Sequence, residues 1–420
     1  MITLYLRQAW AMMRHNRLFS SMYILGTAVT IAIVMIFFII IYIKLGPIYP
    51  EYNRDRMLYL ELIHFEINDG NSKGYTGASR HLYEKLKSVE GCDAVATSTV
   101  GGQLSVEGLK NSTLLFTSHT FWQIFDFEFI AGKAFTQQDE ENNIAAPVIV
   151  ISDNVARQLF ATVDAVGKEV KIQNIPHKVV GVVKGVSGST PSVYADCWIP
   201  VNSRLKNERY HTREQILGEY KLFFLVSKGE DMETVKGRIS DIFSRFAQEQ
   251  REGNKYEPYI NTHLKYMLGN EYGTEDFGFV LLLFMTLLFI PALNLSGMIA
   301  SRMNSRMEEI GVRKAFGATN RILVSQVLFE NLLFTAIGAL LGLLMAYIFA
   351  LMTQEWIVTL LDSVNMNANY PTAVTVEMLF NPTVVGVTIV LILLLNVVSA
   401  LIPTIYSLRH SITVSLNHKK

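Results

Sequence analysis

Four stretches of this chain carry no Asp, Glu, Lys or Arg over more residues than the ~20 that a helix needs to cross a bilayer. They are residues 18–43, 277–301, 331–354 and a run within 378–408. Charge returns abruptly at the ends: Arg17 and Lys44 bound the first run, Asp276 and Arg302 the second, Glu330 and Glu355 the third, and Arg409 follows the fourth. One such run can be the buried helix of a globular enzyme. Four together predict four transmembrane helices. The first is too long for the roughly 7–15 apolar residues of a signal peptide, and no A-x-A-like site follows at Lys44-Leu-Gly-Pro. It reads as an uncleaved anchor.

Lys and Arg placement sets the expected orientation. Arg7, Arg14 and Arg17 precede the first span without an acid. Arg302, Arg306, Arg313, Lys314 and Arg321 follow the second, and Arg409, Lys419 and Lys420 follow the fourth. The connection 355–377 carries acids only: Glu355, Asp362 and Glu377. Both termini and the loop after the second span are therefore expected in the cytoplasm, with 44–276 and 355–377 outside. The formal net charge of zero hides this sidedness and gives no sign of nucleic-acid binding. No Asp, Glu, Lys or Arg falls within the charge-free runs. A proton- or ion-coupled transporter usually needs such groups at depth, so energy is expected from elsewhere. Gly338-x-x-x-Gly342 allows close helix approach, equally to a helix of this chain, to lipid or to a second copy.

Residues 44–276 are enough for one or two domains with real cores. Their pattern is mixed α and β. Strands are predicted at 56–63, 148–151, 166–172, 178–186 and 220–226, where β-branched and aromatic residues cluster or alternate. Helices are predicted at 79–89 with Ser79 as N-cap, at 153–160 capped by Ser152 or Asp153, and at 232–248 with an amphipathic pattern. Cys92 and Cys197 are the two cysteines. An oxidising compartment permits a disulfide between them, but their sequence context does not bring them within bridging distance, and two separate thiols are expected.

The charged run Arg302-Met-Asn-Ser-Arg306-Met-Glu308-Glu309-Ile-Gly-Val-Arg313-Lys314-Ala-Phe-Gly317-Ala-Thr319-Asn-Arg321 is built to fold locally. Residues 305–316 can form about three helical turns, with Glu309 and Arg313 at i, i+4. Gly317 suits the residue just past the helix end. Thr319 or Asn320 can cap the next helix. A solvated positive loop accounts for the arginines but not for an ordered helix followed by a Gly-Ala-Thr corner. Ahead of the first span, Leu6, Ala9, Trp10 and Met13 share a helical face, with Arg7, Arg14 and Arg17 elsewhere, as in a helix lying in the headgroup plane.

This run resembles the R-x-x-E-I-G-V-R-K-A-x-G-A-T signature of FtsX-type permeases. Gly132-Lys-Ala-Phe135, Val148-Ile-Val-Ile-Ser152, Ala156…Leu159-Phe160, Val166-Gly167-Lys168 and Val179-Val-Gly181-Val182 resemble, in order and spacing, the periplasmic core domain of MacB-like permeases. One departure is Ala161-Thr162, where the family pattern often has Gly after the Phe. Taken singly, these residues only build strands and turns.

The resemblance implies an α-helical membrane protein with four transmembrane helices and a large α+β extracytoplasmic domain between helices 1 and 2. The organisation is then 1–17 cytoplasmic elbow helix, 18–43 first span, 44–276 core domain and 277–301 second span. A coupling loop at 302–326, a third span at 327–354, an outer loop at 355–377, a fourth span at 381–408 and a tail at 409–420 complete it. In the family the matching helix docks on a cytoplasmic ABC ATPase. That role falls here on Glu308, Glu309, Arg313, Lys314, Gly317 and Ala318, with the charged residues pairing with the ATPase and Gly317 and Ala318 shaping the turn. Glu330 matches a frequent family glutamate of unassigned role.

The implied partners are that ATPase, a second permease copy or related permease, membrane lipids, and a periplasmic adaptor, lipoprotein or hydrolase. The implied location is the bacterial inner membrane. Export of a peptide, antibiotic or lipoprotein is the expected task. Signalling to a cell-wall hydrolase and a membrane-anchored receptor or scaffold are the alternatives. No G-x-x-x-x-G-K-[ST] loop, nucleophile elbow or metal-spaced His/Cys/carboxylate cluster occurs, so no catalytic residue, metal or cofactor is expected.

Overall fold

The computed structural model describes residues 17–67, 72–101, 104, 106–109, 112–203, 205, 216–250, 254–268, isolated helical positions between 282 and 301, 307–352 and 381–408. The described residues form two compact units, 43–268 in one and the remainder in the other. The helices are α1 (Arg17–Leu45), α2 (Arg80–Leu86), α3 (Phe121–Ile124), α4 (Gln137–Asn142), α5 (Asp153–Phe160), α6 (Met232–Gln248), α7 (His263–Leu268), α8 (Met307–Ala315), α9 (Asn320–Met352) and α10 (Pro382–Leu408).

The larger unit is α+β. Its strands are β1 (Met57–Ile67), β2 (Ser72–Ala78), β3 (Cys92–Val100), β4 (Leu114–Thr117), β5 (Phe129–Gly132), β6 (Val148–Ser152), β7 (Glu169–Ile172), β8 (Ile175–Val183), β9 (Cys197–Pro200), β10 (Leu217–Gly218), β11 (Lys221–Val226) and β12 (Lys255–Thr262). They join in the order β10-β2-β1-β11-β3-β4-β9-β6-β8-β5, with β12 on β1 and β7 on β8. The pairs β4–β9 and β6–β8 are parallel and the rest antiparallel.

Period-two alternation feeds both faces of this sheet. Leu58, Leu60, Leu222 and Phe224 enter one core, together with Val235, Ile239, Phe243 and Phe246 from one stripe of α6. Met57, Tyr59, Phe223 and Leu225 enter a second, aromatic core around Phe121, Phe125 and Trp198. On β6, Val148 and Val150 join the aromatic core, while Ile149 and Ile151 face a third.

Local capping follows the sequence. Ser79 Oγ accepts from Leu82 N at 3.0 Å and Ser152 Oγ from Val155 N at 3.3 Å. The strand expected from 166 starts only at Glu169, because Gly167 turns the chain at φ +86°. Ala161 occupies the left-handed C-cap of α5 at φ 56°, the conformation for which glycine is favoured. Cys92 on β3 and Cys197 on β9 are both free thiols, set against different cores.

In the other unit, three described helical segments are long and apolar enough to cross a membrane: 20–45, 320–352 and 382–401. The elbow at 1–16, the loop 355–377 and the tail 409–420 lie outside the described residues, as does the span expected at 277–301 apart from isolated positions. Gly338 and Gly342 face α1. A Cβ on Gly338 would stand 2.9 Å from Thr27 Cβ, and one on Gly342 would stand 2.6 Å from Ala28 O. The motif therefore serves packing within the chain. Tyr23 packs edge-on against Phe334, with ring centroids 5.7 Å apart. Buried Asn396 on α10 donates to Thr335 Oγ1, and to Tyr23 Oη at 3.4 Å, so one polar group ties three helices.

α9 is a continuous helix of 33 residues, about 50 Å long at 1.5 Å per residue. It begins at Asn320 and so contains Arg321 and Glu330. The charge-free run itself starts only at residue 331, while the third span expected at 327–354 already contains Glu330. Glu330 is 1% exposed, turned into protein and hydrogen-bonded, which is how a helix of this kind tolerates a carboxylate.

Candidate functional site

The charged run forms a short helix closed by a tight corner. α8 ends at Ala315, and Phe316 N donates to Val312 O at 3.1 Å. Gly317 N donates to Lys314 O at 3.0 Å and Ala318 N to Arg313 O at 3.0 Å. These are the two bonds of a Schellman motif, and they satisfy carbonyls that the helix end would otherwise orphan. Gly317 sits at φ +91°, and a Cβ there would meet nothing within 4 Å. Backbone conformation, and not lack of room within this chain, demands glycine. Thr319 O then accepts from Leu323 N at 3.2 Å, starting α9 directly after the corner.

The expected residues separate into distinct roles. Glu308 and Glu309 lie on α8, and their side chains are outside the described residues. Arg313 is half-buried and donates from Nη1 to Gln326 Oε1 at 2.5 Å. Lys314 is half-buried beside it. Ala318 packs with Ile24, Val324 and Leu328 around the buried cluster of Tyr23, Leu323 and Phe334.

Three residues of this region carry features that the motif did not reveal. Phe316 is 90% exposed at the corner, an aromatic ring left in the open beside two cations. Gln326 and Glu330 are buried on α9 and joined by a 3.1 Å bond from Gln326 Nε2 to Glu330 Oε1. Phe316 occupies a variable position of the signature. Gln326 lies beyond it, and neither residue's exposure follows from local pattern.

A second polar cluster lies in the α+β unit. Arg54 and Glu51 are buried and paired at 2.8 Å. Arg54 Nη1 donates to Ile43 O at 2.9 Å and Gly46 O at 2.8 Å, capping the last turn of α1 with positive charge where the helix dipole favours it. His263 Nε2 faces Lys44 O at 2.9 Å, and Nδ1 faces Tyr59 Oη at 2.9 Å. A carbonyl only accepts, so Nε2 carries the proton and Nδ1 accepts from the tyrosine. Burial, and then the Arg54 cation, depress the His263 pKa to about 3, against the smaller opposing effect of the Lys44 carbonyl. Among the described residues no cluster of three His, Cys, Asp or Glu is placed to hold a metal ion.

The family model of the MacB-like periplasmic core domain matches residues 20–242, more than half the chain, and the FtsX-like permease C-terminal model matches 278–412. A probable export ATP-binding/permease protein of Pseudomonas fluorescens is 24% identical over 257 residues, 59% of this chain and 37% of that protein. The macrolide export ATP-binding/permease protein MacB of Pasteurella multocida is 25% identical over 244 residues, 56% of this chain and 34% of that protein. The chain thus spans little more than a third of the length of these curated relatives. The crystal structure of the periplasmic region of MacB from Actinobacillus actinomycetemcomitans aligns at 14% identity with a TM-score of 0.33, covering 48% of this chain and 88% of that one.

Proposed function

The chain belongs to the FtsX/MacB-type ABC permease family, and on that premise we propose that α8 is the coupling helix on which a cytoplasmic ABC ATPase subunit docks. ATP-driven movement of α8 passes through the membrane helices to the extracytoplasmic α+β domain, which drives a periplasmic substrate outward. Both termini and α8 lie on the cytoplasmic side, and the permease works as a dimer. Relatives named as exporters support export as the task. Four membrane helices per subunit complete the arrangement.

The observation that carries this reading is the α8–Gly317 corner presenting a 90% exposed Phe316 beside Arg313 and Lys314. An ordered helix, fixed by its Schellman bonds and bearing an open aromatic anchor, suits a groove on a protein partner. The charges of Glu308, Glu309, Arg313 and Lys314 pair with the ATPase, while Gly317 and Ala318 shape the turn.

The test is Phe316→Ala in the intact complex, purified in mild detergent. Truncating a buried anchor costs about 2 kcal/mol or more, so recovery of a P-loop ATPase should fall at least tenfold with the permease fold unchanged. Undiminished ATPase recovery and hydrolysis would overturn the docking assignment.

A further inference from the structure

We propose that Gln326 and Glu330 are positioning residues that brace the coupling helix against the third membrane helix. The inference rests on the docking role of α8 given above and assigns work to a buried carboxylate that role does not use.

The corner between α8 and α9 is closed by Gly317, Ala318 and Thr319. A glycine at φ +91° holds a tight turn but has no side chain to resist a change of angle. Left alone, such a corner is a hinge, and a push on α8 would dissipate there. The side chains bridge it. Arg313, in the last turn of α8, reaches Gln326 at 2.5 Å. Gln326, in the second turn of α9, reaches Glu330 one turn further on at 3.1 Å.

Glu330 decides how the bridge works. A glutamine amide can present either its carbonyl or its NH2 to a neighbour. Presented with NH2, it would oppose the Arg313 guanidinium, donor against donor. Glu330 accepts from Gln326 Nε2 and so commits the amide to face Arg313 with its oxygen. Gln326 is 6% and Glu330 1% exposed, so water competes little for either bond. A charge-assisted bond at one end and a carboxylate at the other make the bridge stiffer than neutral contacts would.

The test uses the full permease with its ATPase in lipid vesicles. Nitroxides on Val312→Cys and Leu340→Cys report the spread of α8–α9 distances, in a background lacking Cys92 and Cys197. With the bridge intact the distance distribution is narrow. Gln326→Leu and Glu330→Leu should broaden it, while Glu330→Gln, which keeps an acceptor for the Gln326 amide, should leave it narrow. ATPase recovery and basal hydrolysis should persist in all three.

Equal distributions in Gln326→Leu and the parent would overturn the brace, as would Glu330→Gln behaving like Glu330→Leu. The distance measurement needs no ATPase. If no ATPase binds the parent chain, the docking reading fails, while the distributions still decide the brace.

Discussion

Gly342→Ala is the most direct probe of how the membrane helices meet. The added Cβ would stand 2.6 Å from Ala28 O, about 0.8 Å inside the 3.4 Å at which ordinary contact begins, and 2.8 Å from Ile31 Cβ. Both obstacles belong to the α1 backbone or its first side-chain atom, so no rotamer change relieves them and the helices must separate. Overpacking of this kind costs about 1–3 kcal/mol. Alanine returns at most about 1 kcal/mol of helix propensity. The control is Gly386→Ala on α10, where a Cβ meets nothing within 4 Å. There only the propensity gain of about 1 kcal/mol remains. The two substitutions, chemically identical, should therefore differ by roughly 2 kcal/mol, a factor of about 30 in the unfolding equilibrium. Unfolding of the detergent-solubilised protein by a graded denaturing detergent, followed by far-ultraviolet circular dichroism, gives that difference. If Gly342→Ala proves as stable as Gly386→Ala, the reasoning that α9 and α1 touch through this glycine is refuted.

Ala161→Gly should stabilise the α+β unit by about 1 kcal/mol or less. It relieves the cost of a Cβ in the left-handed region, partly offset by the greater freedom of glycine when unfolded, and a rise in thermal midpoint checks it. His263 is held neutral in the folded chain, its pKa moved from 6.5 to about 3, so the unfolded state binds the extra proton between those values. Stability is then full above pH 6.5 and falls as pH drops toward 3, by on the order of 5 kcal/mol from this group. His263→Gln, which has no titrating proton, should show a shallower loss of thermal midpoint over that window. Cys92 and Cys197 should both alkylate after denaturation without reductant. In the native state Cys92 should react slowly at neutral pH and faster as pH rises, because burial lifts its pKa to about 11. Labels that attach only after a reductant is added would contradict two free thiols.

What the linear chain determined by itself is what local chemistry can determine. The charge-free runs stand out because a bilayer excludes unpaired charge over a fixed thickness. Ser79 and Ser152 mark their helix starts because capping involves atoms only three residues apart. The corner after α8 is equally local. Gly317 is needed at positive φ, and both Schellman bonds close within residues 313–318. Tertiary structure decided every feature that depends on which faces meet. Gly338 and Gly342 offered a smooth surface to any helix, and only packing chose α1 at Thr27, Ala28 and Ile31. Arg313 was legible as a cation on a short helix. That it bonds Gln326 across the corner, and that Glu330 sets the amide, follows from the angle at which α9 leaves the turn. Arg54 and His263 were unremarkable letters in the sequence, because Arg54 finds its acceptors 8 to 11 positions back across a chain reversal and His263 finds its own 219 positions away. A side chain's propensity travels with the residue, but its partner is supplied by the fold.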